Sequence, residues 1–310
     1  MKRPSLIYQA KEILSALFNE GFGRSKHNDK KSEKNKSLIY SRNTYNSTLE
    51  KCCTFLGYCK EYFKLRFLNE IKPEYFREFI KSGNDGAGYN KETAEDYRSA
   101  INKLQEGFNS KNNEKSIWTD ASFKKQVVIN PSRTRQQMSK EIHDQIISKA
   151  FESKNETGMA FDTARNLGLR VSEITNLRMR DFWFDKKGNL KAVYINASKG
   201  GRSRKIGANY LTKDQSKTVH KVYEHFKEIK GKNDRLFIYK SGSYQRAFER
   251  IRDSISEDYK QCGIHSLRKE FAKDFYNREI EKGKTPLEVK RILTQLLGHN
   301  RLDILRHYLK

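Results

Sequence analysis

The chain has 310 residues and is strongly basic: 63 Lys and Arg residues stand against 38 Asp and Glu residues, a formal net charge of +25. A chain of this length is expected to form about two domains, each with its own core. No apolar run is long enough to cross a membrane, and the first residues lack the apolar stretch of a secretory signal. The charge instead favours a polyanionic partner, above all nucleic acid.

The first third of the chain is predicted to be helical. Apolar residues recur at helical spacing over residues 5–20. The polar, lysine-rich residues 24–37 follow, as a flexible linker or as a DNA-contacting arm. Three further helices are predicted between Thr44 and Phe108, with a glycine-rich break over residues 83–88.

The second half is predicted to mix helices with a few short strands. A helix N-capped at Ser139 and a second helix over residues 157–167 come first. A small sheet follows, with strands at residues 182–184, 191–196 and 204–207. Helices continue to the end, and one start is marked by the capping box and proline of Thr285-Pro286-Leu287-Glu288.

These elements predict a mainly α fold with a small antiparallel sheet, of the α+β class. The predicted segments are an N-terminal helix with a lysine-rich linker over 1–39, a helical domain over 40–110, a linker over 111–138 and a second domain over 139–310.

Common catalytic and metal-binding signatures are absent from the sequence. It contains no phosphate-binding loop, no paired-histidine zinc motif, no serine nucleophile elbow and no carboxylate cluster with metal-ligand spacing. The cysteines Cys52, Cys53, Cys59 and Cys262 match no zinc or redox spacing, so we expect reduced thiols in the cytoplasm. The sequence predicts no metal and no cofactor.

A dispersed set of Arg, Lys, His and Tyr residues remains for chemistry. In chain order these motifs are Gly168-Leu169-Arg170-Val171-Ser172-Glu173, Lys199 in a glycine-rich turn, His265-Ser266-Leu267-Arg268, Leu297-Gly298-His299 and Tyr308. His265 and Arg268 are three residues apart and share one face of a helix start. Each match is weak when taken singly, and Lys205 or Arg202 could replace Lys199.

Taken together and in order, the motifs resemble the tyrosine recombinase (phage integrase) family. The nine-residue step from His299 to Tyr308 matches as well. The resemblance covers about residues 40–308, and it implies a helical core-type DNA-binding domain over 40–110 and a mixed α/β catalytic domain that together form a DNA clamp. Family members commonly carry a further segment that docks on a neighbouring subunit; two residues follow Tyr308 here, which leaves the subunit contact open.

The resemblance implies that Arg170 and Arg268 clamp the phosphoryl oxygens of DNA. Cleavage of a phosphodiester concentrates negative charge on these oxygens, and two guanidiniums can hold them by paired hydrogen bonds. Losing one such preorganised donor typically costs on the order of 10²–10³ in rate. Glu173 is expected to orient the clamp.

By the same resemblance, Tyr308 is the nucleophile and forms a 3′-phosphotyrosyl intermediate. A phenol has a pKa of about 10, so attack at neutral pH requires a proton acceptor. We expect His265 to accept this proton and His299 to donate a hydrogen bond to the phosphate. Lys199 is expected to protonate the leaving 5′ oxygen.

The implied function is site-specific DNA recombination of the integrase or excisionase type, without metal or ATP. The implied setting is the cytoplasm, where a bacterial, phage or mobile-element protein would act on the nucleoid. The implied partners are double-stranded DNA with a specific recombination site, further copies of the chain in a homotetramer on two sites, and accessory DNA-bending proteins, but no membrane. The predicted DNA contacts outside the catalytic set are Lys91, Arg98, Lys103 and Arg202.

Two alternatives use the same features. A type IB topoisomerase-like enzyme would share the arginine clamp and the tyrosine, and would relax supercoiled DNA without a cognate site. A non-catalytic DNA-binding protein would need only the basic charge, which supplies salt-dependent affinity without sequence preference.

Overall fold

The computed structural model is mainly helical, with a small antiparallel sheet, and this confirms the predicted fold class. It describes residues 5–24, 29, 38–83, 86–128, 137–196, 203–299 and 301–309. The predicted lysine-rich segment 24–37 lies almost entirely outside these residues. The chain divides into two compact units, Met1–Arg133 and Thr134–Lys310. None of the helices in the described ranges is both long enough and apolar enough to span a bilayer.

The described part of the first unit contains four α-helices. In chain order they are α1 (Leu6–Gly21), α2 (Arg42–Tyr62), α3 (Pro73–Ser82) and α4 (Lys91–Asn112). Helix α1 packs on α2 and α4, because its apolar stripe faces both of them. Residues within the predicted 111–138 linker also enter this core: Trp118 and Phe123 are fully buried, against Phe108 and Phe76 respectively.

The second unit surrounds one central helix. Its elements are α5 (Lys140–Ser153), α6 (Asn155–Leu167), α7 (Val171–Ile174), β1 (Phe182–Phe184), β2 (Leu190–Ile195), β3 (Arg204–Gly207), α8 (Lys213–Lys227), α9 (Ser241–Asp253), α10 (His265–Glu281) and α11 (Pro286–Leu296). Helix α6 packs against α5, α8 and α10, so it is buried on most sides. A 3₁₀ turn over Leu302–His307 leads to Tyr308.

The sheet has the order β1–β2–β3, with both pairs antiparallel. Phe182, Val193 and Ile206 lie opposite one another in register and are all buried, so this row faces the core. Because side chains alternate along a strand, Arg204 shares the inner face with Ile206 and Lys205 takes the outer face.

The helix starts that the sequence marked most clearly are confirmed. Ser139 accepts a hydrogen bond from the backbone N–H of Ile142 at the start of α5. At the start of α11, Thr285 and Glu288 form the reciprocal capping box, with Pro286 in the first turn. These contacts are local, which is why the sequence predicted them.

Candidate active site

A tight turn after α6 positions Arg170 and Glu173. Gly168 ends the helix in the left-handed region (φ +60°), and a Cβ there would lie 2.4 Å from the Phe271 ring, so the turn requires glycine. Arg170 then caps the four-residue α7, and its backbone N–H donates to Glu173 Oε2 at 2.9 Å. The local sequence thus brings the arginine and the carboxylate together.

Glu173 is the shared acceptor for three arginines. It accepts from Arg170 Nη1 at 2.7 Å, from the Arg204 fork at 2.7 and 2.8 Å, and from Arg268 Nη1 at 3.4 Å. Glu173 is 2% exposed. One negative and three positive charges leave a net charge of +2 around this carboxylate, which suits an anionic ligand.

Arg268 joins the turn after α6 to the end of α11. It is fully buried, and it donates to the carbonyl oxygens of Gly168, at 2.6 Å, and of Leu297. Burial lowers the pKa of its guanidinium to about 10, so the group stays charged at neutral pH. Arg268 therefore contributes a fixed, desolvated positive charge.

Removing the Glu173 carboxylate is expected to destabilise the fold. Glu173→Gln leaves three arginines around a neutral amide, and the loss of one partner of a buried ion pair typically lowers the free energy of unfolding by about 3–5 kcal/mol. Chemical denaturation of the full chain measures this.

Glu279→Gln is the matched control. Glu279 is also buried and also meets three cations, Arg278, Lys282 and Lys284, but their side chains are 21%, 57% and 40% exposed. Solvent can stabilise these cations when the carboxylate is lost, so a smaller decrease is expected. If the free energy of unfolding falls equally in the two variants, the buried arginines around Glu173 do not make the loss of its carboxylate more destabilising than the loss at Glu279.

The Tyr308 hydroxyl lies between two histidines. It is 3.1 Å from Nε2 of His265 and 3.1 Å from Nε2 of His299. His299 Nε2 also lies 3.4 Å from Nη2 of both Arg170 and Arg268. The structure therefore brings together six of the predicted residues, which are Arg170, Glu173, His265, Arg268, His299 and Tyr308.

Both histidines are neutral in the DNA-free site and can accept hydrogen bonds. Burial first, and then the charge of Arg268, lowers the pKa of His265 and of His299 to about 4, so both rings are neutral at pH 7. Guanidiniums only donate hydrogen bonds, so His299 presents an acceptor nitrogen to them. The division of roles between the two rings, with His265 as acceptor and His299 as donor, stays a prediction.

Acid is expected to destabilise the protein through these two histidines. An unfolded histidine takes up a proton near pH 6.5, whereas His265 and His299 do so only near pH 4 when folded. The unfolded chain binds more protons over this window, so the free energy of unfolding falls as the pH drops from about 6.5 to 4. Denaturant unfolding at a series of pH values measures this.

The comparison variant carries both His265→Gln and His299→Gln and so lacks both imidazole rings. Its free energy of unfolding should decrease less over the same window, because the two groups that take up protons are gone. A double variant with the pH dependence of the wild-type chain would show that other groups cause the acid sensitivity.

Two further predicted residues, Lys199 and Arg202, fall between β2 and β3 in the sequence and lie outside the described residues. Lys205, the alternative to Lys199, lies on the outer face of β3. Its ammonium is 4.9 Å from the centre of the Trp183 ring and 5.8 Å from that of Tyr194. Lys205 therefore points away from the face that carries Arg204.

Arg204 is a site residue that the sequence motifs do not indicate. Its guanidinium binds Glu173 and the Leu296 carbonyl oxygen, the latter at 2.6 Å from Nε. Strand alternation could have indicated it, because Ile206, two residues along, is a typical core residue.

The other predicted DNA contacts lie in the first unit, on α4. Lys91 is exposed in the first turn, and Lys103 is half-buried. Arg98 lies 3.7 Å from Glu95 and stacks on the Phe123 ring, 5.5 Å from its centre. Their role in DNA binding stays a prediction.

Three solved structures share this fold at low sequence identity. A lambda integrase tetramer bound to a Holliday junction has a TM-score of 0.65 and 17% identity, over 88% of this chain and 73% of that chain. The XerH site-specific recombinase bound to difH substrate has a TM-score of 0.61 and 18% identity, over 98% of this chain and 92% of that chain. The Tn1549 transposon integrase in complex with transposon right end DNA has a TM-score of 0.61 and 13% identity, over 97% and 94%.

The sequence itself has one family-level match. No curated protein matches it. The model of the phage integrase family, however, matches residues 132–310, which is more than half of the chain and includes every residue of the site just described. The chain therefore belongs to the phage integrase family, the tyrosine recombinases.

Proposed function

We propose that the protein is a site-specific DNA recombinase that cuts and rejoins double-stranded DNA through a 3′-phosphotyrosine intermediate. The observation that carries the proposal is the Tyr308 hydroxyl, 3.1 Å from two neutral imidazoles. One of these imidazoles lies 3.4 Å from two guanidiniums. A nucleophile, a proton acceptor and an anion-binding group are thus in reach of a single phosphate.

The proposed reaction begins when the Tyr308 oxygen attacks the scissile phosphorus. A Tyr308–phosphorus bond forms and the bond to the 5′ oxygen breaks. The phenol proton passes to an imidazole, His265 in our assignment, and the 5′ oxygen takes a proton from Lys199. Attack by a 5′ hydroxyl reverses these steps and releases the tyrosine, so strand exchange needs neither ATP nor a metal.

The charge of the site supports this chemistry. The phosphodiester carries one negative charge, and more charge develops on its oxygens during attack. The +2 charge of three arginines and Glu173 can stabilise that change without rearrangement, because the groups are already fixed by hydrogen bonds.

The proposed partners are a specific recombination site in duplex DNA and further copies of this chain. The structural relatives include a tetramer bound to a Holliday junction, which supports a homotetramer on two sites. Lys91, Arg98, Lys103 and Arg202 would contact phosphates of the duplex. Accessory DNA-bending proteins and action on DNA in the cytoplasm belong to the same proposal.

Mapping the covalent adduct on DNA from the native locus tests the proposal. We expect one adduct position per strand, with protein on the 3′ phosphate and a free 5′ hydroxyl. Prompt relaxation of supercoiled DNA without a cognate site would favour a topoisomerase-like enzyme instead. Strongly salt-dependent binding without any adduct would favour a non-catalytic DNA-binding protein.

A further inference from the structure

Arg204 lies at the junction of three chain segments of the site. Its side chain is 6% exposed and reaches from β3 to Glu173 in α7 and to the Leu296 carbonyl oxygen at the end of α11. His299 follows three residues after Leu296, and Arg170 lies next to α7. One guanidinium thus joins the segment that carries Arg170 and Glu173 to the segment that leads to His299.

Gly298 leaves space for the Arg204 side chain. Gly298 has a φ of +64°, and a Cβ there would lie 3.2 Å from Arg204 Cδ and 3.3 Å from its Nη1. Glycine is therefore favoured at position 298 both by the backbone conformation and by the nearness of Arg204. The turn that presents His299 and the path of the Arg204 side chain depend on each other.

Arg204 forms a bidentate hydrogen bond with the Glu173 carboxylate. Nη1 and Nη2 of Arg204 donate to Oε1 and Oε2 of Glu173, at 2.7 and 2.8 Å respectively. Nη1 of Arg170 and Nη1 of Arg268 lie 2.7 and 3.4 Å from Glu173, and Nη2 of each arginine lies 3.4 Å from Nε2 of His299. Arg204 thereby occupies the bidentate position on the carboxylate.

A carboxylate released from Arg204 could accept a full fork from Arg170, since a bidentate pair is the favoured geometry of an arginine with a carboxylate. That arrangement would turn Nη2 of Arg170 away from His299 and from the expected phosphate position. We infer that Arg204 is a positioning residue, which holds Glu173 so that Arg170 and Arg268 keep their second nitrogens directed at the substrate phosphate. This inference rests on the proposed function.

Arg204→Lys tests the inference, because lysine keeps the charge but cannot form the fork. With saturating DNA that carries the mapped site, we expect the single-turnover rate of adduct formation to fall by roughly 10- to 100-fold. The affinity for DNA should stay unchanged.

Arg252→Lys is the matched control. The Arg252 side chain is also 6% exposed, and it also binds one carboxylate, of Asp253, and one backbone carbonyl, of Cys262. Arg252 takes no part in the proposed site. Arg252→Lys should therefore lose about as much stability as Arg204→Lys but form the adduct at the wild-type rate.

A double-mutant cycle separates positioning from general stability. If Arg204 acts through Arg170, adding Arg204→Lys to Arg170→Lys should slow the reaction far less than Arg204→Lys does alone. A wild-type rate in Arg204→Lys, or fully additive losses in the double variant, would overturn the positioning role. Absence of an adduct with the wild-type chain would overturn the proposed function itself, and the role of Arg204 with it.

Discussion

Tyr308→Phe is expected to abolish the covalent protein–DNA adduct and to leave binding to the recombination site intact. The variant loses the hydroxyl oxygen that would attack phosphorus, but it keeps the ring that is buried in the core of the second unit. Denaturing gel electrophoresis after incubation with a suicide substrate detects the adduct. A mobility-shift assay on the same DNA measures the affinity.

Tyr244→Phe is the control for removing a hydroxyl from a buried tyrosine of the same unit. Tyr244 is 1% exposed and donates to Glu156 at 2.8 Å, with no predicted role in catalysis. It should form adducts as the wild-type chain does. Adducts that persist in Tyr308→Phe would mean that another residue is the nucleophile.

Arg170→Lys is expected to slow DNA cleavage by a factor on the order of 10²–10³ with little change in affinity. Lysine retains the positive charge, but it cannot donate to Glu173 and to a phosphate oxygen in the fixed geometry of a guanidinium. The Arg170 side chain is 15% exposed, so replacing it should cost less stability than replacing the buried Arg268. Single-turnover cleavage at saturating protein measures the effect.

Lys91→Ala is expected to change the affinity for DNA rather than the cleavage rate. If exposed Lys91 contacts a phosphate, its removal should weaken binding modestly and reduce the slope of log affinity against log salt by up to about one unit. The cleavage rate at saturation should remain close to that of the wild type. An Arg170→Lys variant that binds DNA more weakly but cleaves it at the wild-type rate when saturated would place Arg170 among the ordinary phosphate contacts.

Features set by neighbouring residues could be predicted from the sequence. Caps such as Ser139 and Thr285 act over three or four residues, so their helix starts are readable directly. Short segments separated by turn residues likewise predicted the three strands, with bounds close to those observed. The ordered motifs indicated the family, because the types and spacing of residues in an active site reflect its chemistry.

Contacts between distant segments could not be predicted in this way. Trp118 and Phe123 lie in a polar stretch that was predicted as a linker, and only their partners on α3 and α4 reveal them as core residues. Arg204 was one basic residue among many, because nothing adjacent to it in the chain indicates that Glu173 lies 2.7 Å away.

The sequence by itself therefore determined the family, the mainly helical class and the identity of six residues that meet at the site. The tertiary structure alone decided how these residues share protons and charge. Folding places Tyr308 between two buried histidines and gives the single carboxylate of Glu173 to three arginines. Burial and charge proximity arise only when distant segments pack together, and they set the protonation of both rings.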